Sequence, residues 1–176
     1  MTGPTGLTSA APRVDPTRVD IGARFREYVR LDKLRRDTGL SPAELHRWEA
    51  LKGFLSSHFS PDRPKGVPDT RESVRVPTRV KVSFASDHEL QRCLMTKLSR
   101  GGVFVQTDHP LEIGSRFTLT LHVEAPRREI SVPVEVVSVG IGPAFARNKQ
   151  GMGLRFLEMS PETEKQLREL YESAVP

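Results

Sequence analysis

The second half of the chain is divided into six short segments with the character of β-strands. Within most of them apolar and polar residues alternate, which is typical of a strand with one buried face. The segments are Val80–Phe84, Gln91–Lys97, Val103–Val105, Phe117–Val123, Ile130–Val136 and Met152–Phe156. Six short strands at this spacing predict a small antiparallel barrel or sandwich, and not a parallel sheet whose strands are joined by helices.

A first helix is predicted from Asp20 onward. Phe25, Tyr28 and Val29 recur at the i, i+3, i+4 spacing of one helix face, and arginines occupy much of the rest. Thr38-Gly39 ends this helix, because glycine is the usual residue just after a helix C-terminus.

A second helix begins at Ser41-Pro42-Ala43-Glu44, which is a capping box with proline at the first helical position. Its predicted apolar stripe consists of Leu45, Trp48, Leu51 and Leu55. The two helices form a predicted hairpin over residues 20–59. A hairpin this small cannot bury both apolar stripes by itself, so we expect it to pack on the β domain or on a second copy of itself as a homodimer.

The remaining segments complete the predicted domain organisation. Residues 1–19 lack any periodicity and are predicted to be a disordered tail. Residues 60–77 contain four prolines and are predicted to be a linker. Residues 78–176 are predicted to hold the barrel and a C-terminal helix that starts at Ser160-Pro161-Glu162.

Composition restricts the class of protein and the kind of partner. The formal net charge of +5 favours an anionic partner such as a nucleotide, a nucleic acid or a membrane surface. The single cysteine, Cys93, excludes an internal disulfide and is typical of a reducing compartment. No apolar run is long enough to span a bilayer and the N-terminus lacks the features of a signal peptide, so we expect a cytoplasmic protein.

Two motifs stand out against this background. Ser99-Arg100-Gly101-Gly102 places adjacent glycines inside a strand pattern, which is expected for a tight hairpin or where another backbone or a ligand approaches closely. Arg71 and Arg75 form an Arg-x-x-x-Arg pair in the predicted linker, just before the first strand.

The two motifs together resemble those of the PilZ domain family, over roughly residues 71–174. The resemblance implies a six-stranded β-barrel with a C-terminal helix, and a receptor for the bacterial second messenger cyclic di-GMP or a protein adaptor. It implies ligand contacts from Arg71 and Arg75, and from the region of Lys97, Ser99, Arg100, Gly101 and Gly102. Arginine suits this ligand, because a guanidinium can bind phosphate or guanine O6/N7 with two hydrogen bonds and can stack on a base. In a flexible segment, the two arginines could fold over a ligand seated on the barrel.

Lys97 departs from the family pattern, which has Asp or Asn at this position. A carboxylate or amide oxygen accepts hydrogen bonds from the Watson–Crick donors of guanine, whereas an ammonium group only donates. Two functions therefore stay open: a cyclic di-GMP receptor, and an adaptor that has kept the barrel and acts through protein partners alone.

Other functions are less well supported. A small barrel that binds RNA or DNA is disfavoured by the scarcity of aromatic residues on the strands. The five histidines are scattered without ligand spacing, and Ser99 has no evident His and acidic partners. We therefore expect no metal, no cofactor and no enzymatic activity.

Overall fold

The computed structural model describes residues 20–61, 69–86, 89–140 and 150–175. The helices are α1 (Ile21–Asp37), α2 (Pro42–Phe59) and α3 (Pro161–Glu172). The strands are β1 (Val76–Ser86), β2 (Glu89–Ser99), β3 (Gly102–Gln106), β4 (Arg116–Glu124), β5 (Arg127–Gly140) and β6 (Gly151–Phe156). The predicted disordered tail over residues 1–19 lies outside the described residues.

The six strands form a closed antiparallel barrel in the order β1-β2-β3-β6-β5-β4. Pairing of β1 with β4, for example Val82 with Leu121, closes it. Alternate residues of each strand point inward and form the core, where Met95, Val105 and Leu119 are fully buried. The predicted fold class, a mainly β chain with this barrel, an N-terminal helical hairpin and a C-terminal helix, is confirmed.

Every strand is longer than its predicted segment, and the difference is greatest for β1 and β5. β1 begins at Val76, inside the predicted linker, and its register with β2 shifts between Pro77 and Val80. The register of β5 with β6 shifts between Val136 and Ser138, which leaves the Val137 side chain exposed. A register irregularity interrupts the two-residue period, so a pattern search ends the strand there.

The predicted helix boundaries are confirmed. Gly39 has a φ of +89° and its N–H donates to the carbonyl of Leu34, which ends α1. The capping box of Ser41 and Glu44 is formed in both directions at the start of α2. Leu45, predicted to lie in the apolar stripe of α2, is 41% exposed because it falls on the outer edge of that helix.

The helical hairpin packs against its own chain. Phe25, Tyr28, Trp48, Leu51 and Leu55 are all buried. The Phe25 ring lies edge-on to Tyr171 of α3, with 5.3 Å between ring centroids. The apolar stripes are thereby covered within one chain. A homodimer through the outer surface of the hairpin stays a prediction.

The adjacent glycines serve two different purposes. Arg100 and Gly101 form the turn between β2 and β3, where Ser99 pairs with Gly102. A Cβ atom added at Gly101 would meet no other atom within 4 Å. A Cβ atom added at Gly102 would collide with the backbone carbonyl oxygen of Leu154 on the neighbouring strand β6. Gly102 is therefore required by close backbone approach, as one of the two interpretations of the motif predicted.

These neighbouring glycines offer a matched pair of substitutions. Gly102→Ala should lower the free energy of unfolding by about 1–3 kcal/mol or more, because β6 would have to shift. Gly101→Ala should change it by no more than about 0.5 kcal/mol, as at an ordinary surface position. Urea unfolding followed by circular dichroism measures both. Equal effects of the two substitutions would contradict the packing described for Gly102.

Candidate functional site

A cleft with a volume of about 300 Å³ opens between the segment Asp69–Arg75 and the ends of β2, β3, β5 and β6. We call it the arginine cleft. Six of the seven predicted site residues line it, namely Arg71, Arg75, Lys97, Ser99, Gly101 and Gly102. Glu72, Ser73, Phe104, Val137, Ser138 and Arg155 also contribute to its walls. The topology thus brings together two motifs that are more than twenty residues apart in sequence.

Two buried tyrosines hold the backbone between the paired arginines. The N–H of Val74 donates to the hydroxyl oxygen of Tyr28 on α1, at 3.2 Å. The carbonyl oxygen of Val74 accepts from the hydroxyl of Tyr171 on α3, at 2.8 Å. Val74 itself is fully buried. The backbone midway between Arg71 and Arg75 is therefore held from both sides, and the flexibility expected of this segment stays a prediction.

Arg100, the seventh predicted site residue, points away from the arginine cleft. Its Nη1 lies 2.6 Å from Oδ2 of Asp32 on α1, a carboxylate that is only 5% exposed. Trp48 Nε1 of α2 donates to the other oxygen of Asp32 at 3.2 Å. The backbone N–H of Arg100 donates to Ser73 Oγ at 3.3 Å. Arg100 thus joins the barrel turn to the helical hairpin, and its predicted ligand contact stays a prediction.

The two arginines of the cleft raise the local positive potential. Arg75 is exposed overall, but its guanidinium is partly desolvated, and this is the main reason that the pKa of Arg75 is lowered. Repulsion from Arg71 lowers this pKa further, whereas attraction to Asp69 raises it. Arg71 is also close to Asp69, with 3.9 Å between Nε and Oδ1. Both guanidinium groups nevertheless stay charged at neutral pH, because the ordinary pKa of arginine is far above neutrality. An anion bound between Arg71 and Arg75 would therefore relieve the repulsion between the two guanidinium groups.

Lys97 lines the cleft directly after an irregularity in β2. Met95 pairs with Val105 and Lys97 pairs with Phe104, so Thr96 is an extra residue on the β2 side. A bulge of this kind re-aims the side chains that follow it. The exposed Lys97 consequently lies with Ser99 and Gly102 along the same cleft. Arg155, which also lines the cleft, donates to Glu135 at 3.0 Å, and this hydrogen bond is the main reason that the pKa of Glu135 is lowered.

One polar cluster was missed by sequence reasoning. Ser83 Oγ lies 2.8 Å from His122 Nε2, and His122 Nδ1 lies 3.0 Å from Glu129 Oε1. A serine, a histidine and a carboxylate bonded in this order also form the catalytic triad of many hydrolases. However, Ser83 is only 7% exposed and lines neither the arginine cleft nor the smaller cavity between α1 and α3. The three residues therefore form a cross-strand network on β1, β4 and β5, which the strand register alone brings together.

In the described ranges no group of three or more His, Cys, Asp and Glu side chains is arranged to hold a metal ion. Cys93 is half-buried on β2, and burial raises the pKa of its thiol. No helix within the described part of the chain is both long enough and apolar enough to cross a membrane.

The PilZ domain family model matches residues 69–173, which is more than half of the chain. The chain belongs to the PilZ domain family. The matched region begins at the arginine segment and includes the whole barrel and α3. Proteins of this family are typically non-enzymatic receptors. No curated protein is significantly similar to the chain in sequence.

Solved PilZ structures show the same barrel. The Bacillus subtilis inhibitor of motility MotI/DgrA aligns with a TM-score of 0.51 and 20% identity, over 61% of this chain and 54% of that protein. The PilZ domain of Escherichia coli YcgR, solved with c-di-GMP, aligns with a TM-score of 0.50 and 19% identity, over 58% of this chain and 90% of that domain. This PilZ chain therefore spans about half the length of MotI/DgrA. At such identities the likeness establishes the fold.

The tyrosine anchor can be tested by alkaline titration, because Tyr28 and Tyr171 are the only two tyrosines of the chain. Burial raises the pKa of Tyr28 to about 12, and burial also raises the pKa of Tyr171. Since the folded-state values exceed the ordinary value of 10, the stabilisation from these groups is complete below pH 10 and is lost as the pH rises toward 12.

We expect the folded protein to show no tyrosinate absorbance near 295 nm at pH 10, and both groups to ionise together with alkaline unfolding. Circular dichroism at each pH reports the fold. A tyrosine that titrates with an ordinary pKa while the fold is intact would contradict the anchor. Tyr28→Phe should halve the absorbance change, which assigns the signal.

Proposed function

We propose that this PilZ chain is a non-enzymatic, cytoplasmic bacterial receptor for cyclic di-GMP that changes its contacts with a protein partner on binding. One observation supports the proposal most strongly. Arg71 and Arg75 line the same cleft as Ser99, Gly101 and Gly102 of the second motif, and the backbone between the two arginines is held by two tyrosines. The PilZ domain of YcgR, of the same fold, has been solved with c-di-GMP.

The chemistry of the arginine cleft suits a cyclic dinucleotide. Arg71 and Arg75 can each bind a phosphate or the O6/N7 edge of guanine with two hydrogen bonds. The half-buried Phe104 and the exposed Val137 supply an apolar surface for a base. A volume of about 300 Å³ lies at the lower end of the range for small-molecule sites. Part of the ligand would therefore extend beyond the cleft toward solvent.

Binding would be transmitted to the helical hairpin through the backbone of Val74. A movement of the arginine segment's backbone toward a ligand would displace the peptide groups that Tyr28 and Tyr171 hold. Tyr28 lies one helical turn before Asp32, the residue that pairs with Arg100. The hairpin is therefore the part of the molecule whose position responds to the cleft, and its outer surface is the proposed contact for a protein partner. MotI/DgrA is an inhibitor of motility, so motility is the first process to examine.

The alternative is an adaptor that does not bind cyclic di-GMP. Lys97 favours it, because its ammonium group has only donors to offer to guanine. In this case the barrel and hairpin act as a protein-binding module at all ligand concentrations.

Calorimetric titration with cyclic di-GMP distinguishes the two functions. We expect the wild type to bind, and Arg71→Ala and Arg75→Ala each to weaken binding about ten- to a hundredfold, as for the loss of a charge-assisted contact. Arg79→Ala is the matched control, because it removes the same charge from an exposed position of β1 outside the cleft. Lys97→Asp should strengthen binding by restoring an acceptor.

Absence of binding by both the wild type and Lys97→Asp would overturn the receptor and establish the adaptor. Equal losses in Arg71→Ala and Arg79→Ala would show that binding depends on overall charge and not on the cleft.

Transmission can be measured by hydrogen exchange with and without cyclic di-GMP. We expect the ligand to change amide protection in α1 as well as in the arginine segment, because Tyr28 connects them. In Tyr28→Phe, which lacks the hydroxyl, the change should be confined to the barrel. A ligand effect that never extends to α1 would exclude the proposed route.

A further inference from the structure

We propose that Glu72 recognises guanine in the arginine cleft. Its carboxylate would supply the hydrogen-bond acceptor that the family pattern has at the position of Lys97. The inference rests on the proposed function and concerns how the same site selects its base. It follows from the position, the charge and the surroundings of Glu72.

Glu72 lies at the Ser99–Gly102 turn, although it belongs to the arginine segment. The next residue, Ser73, accepts the backbone N–H of Arg100 through its Oγ at 3.3 Å. This bond places the backbone at Glu72 beside the turn that carries the second motif. Glu72 Oε2 lies 3.8 Å from Arg100 Nη2. Glu72 also lines the arginine cleft together with Lys97 and Ser99 of the second motif.

Glu72 is the only acidic residue among the described residues that line the cleft. Its side chain is 90% exposed. The contact with Arg100 is weak, because Arg100 is engaged by Asp32 at 2.6 Å and 3.8 Å exceeds hydrogen-bond distance. A ligand can therefore attract the carboxylate without breaking a strong bond.

The hydrogen-bonding groups of the base decide whether its contact with the Glu72 carboxylate is favourable or unfavourable. The Watson–Crick edge of guanine presents two neighbouring donors, N1–H and the 2-amino group, to which a carboxylate can accept two parallel hydrogen bonds. Adenine has an acceptor at N1, so the same carboxylate would face a lone pair. Glu72 should therefore favour guanine and disfavour adenine within a cleft that attracts either cyclic dinucleotide through its phosphates.

The test is the affinity of the full chain for cyclic di-GMP and for cyclic di-AMP, measured by calorimetry for the wild type, Glu72→Gln and Glu72→Ala. Glu158→Gln is the matched control, since it removes one negative charge from an exposed position outside the cleft. We expect Glu72→Ala to weaken cyclic di-GMP binding about ten- to a hundredfold. Binding of cyclic di-AMP should be unchanged or tighter, because a negative charge leaves a cleft that holds phosphates. Glu72→Gln should fall between the wild type and Glu72→Ala.

A carboxylate that merely stands near the ligand would behave in the opposite way. Its removal would strengthen binding of both cyclic dinucleotides, so equal or tighter binding of cyclic di-GMP by Glu72→Ala overturns the inference and leaves the receptor intact. A wild type that binds neither dinucleotide overturns the receptor and this inference together. An unchanged thermal unfolding temperature confirms that the variants are folded.

Discussion

The buried carboxylate of Asp32 is the contact on which the arrangement of the whole molecule depends. A charge this deeply buried is tolerated only when it is paired and hydrogen-bonded. Asp32 meets this requirement with Arg100 of the barrel turn and with Trp48 of α2, while Arg35 and Arg36 of its own helix lie at 3.5 and 3.6 Å. One side chain therefore connects α1, α2 and the β2–β3 turn, and loss of Arg100 would remove the shortest ion pair of this buried charge.

This junction makes the candidate site a product of the hairpin as well as of the barrel. The PilZ family model begins at residue 69, so α1 and α2 lie outside the matched region. Yet Tyr28 of α1 holds the N–H of Val74, midway along the arginine segment. The arginines are presented by a backbone that is bonded to helices on both sides, which reduces the ordering needed for a ligand to bind. The same bonds connect occupancy of the cleft to the position of the hairpin.

Much of the fold could be predicted from the residues alone, and the failures have a common physical origin. All six strands were predicted, most of them from alternation, and the capping residues Ser41 and Ser160 marked the starts of α2 and α3. The early start of β1 and the extension of β5 were missed because register shifts break the two-residue period. Arg100 was assigned to the ligand because it lies inside a recognised motif. The bond that its side chain forms with Asp32, 68 residues away in sequence, could not be foreseen from that motif.

The sequence by itself determined which elements form, because periodicity, capping and turn chemistry act between residues a few positions apart. It also determined the two motifs and the family that they indicate. Only the tertiary structure decided which side chains face one another: that Arg71 and Arg75 share a cleft with Lys97, that Arg100 turns to Asp32, and that Glu72 reaches the second motif. These outcomes depend on barrel closure and helix docking, which join positions that are remote in the chain and leave no local signature.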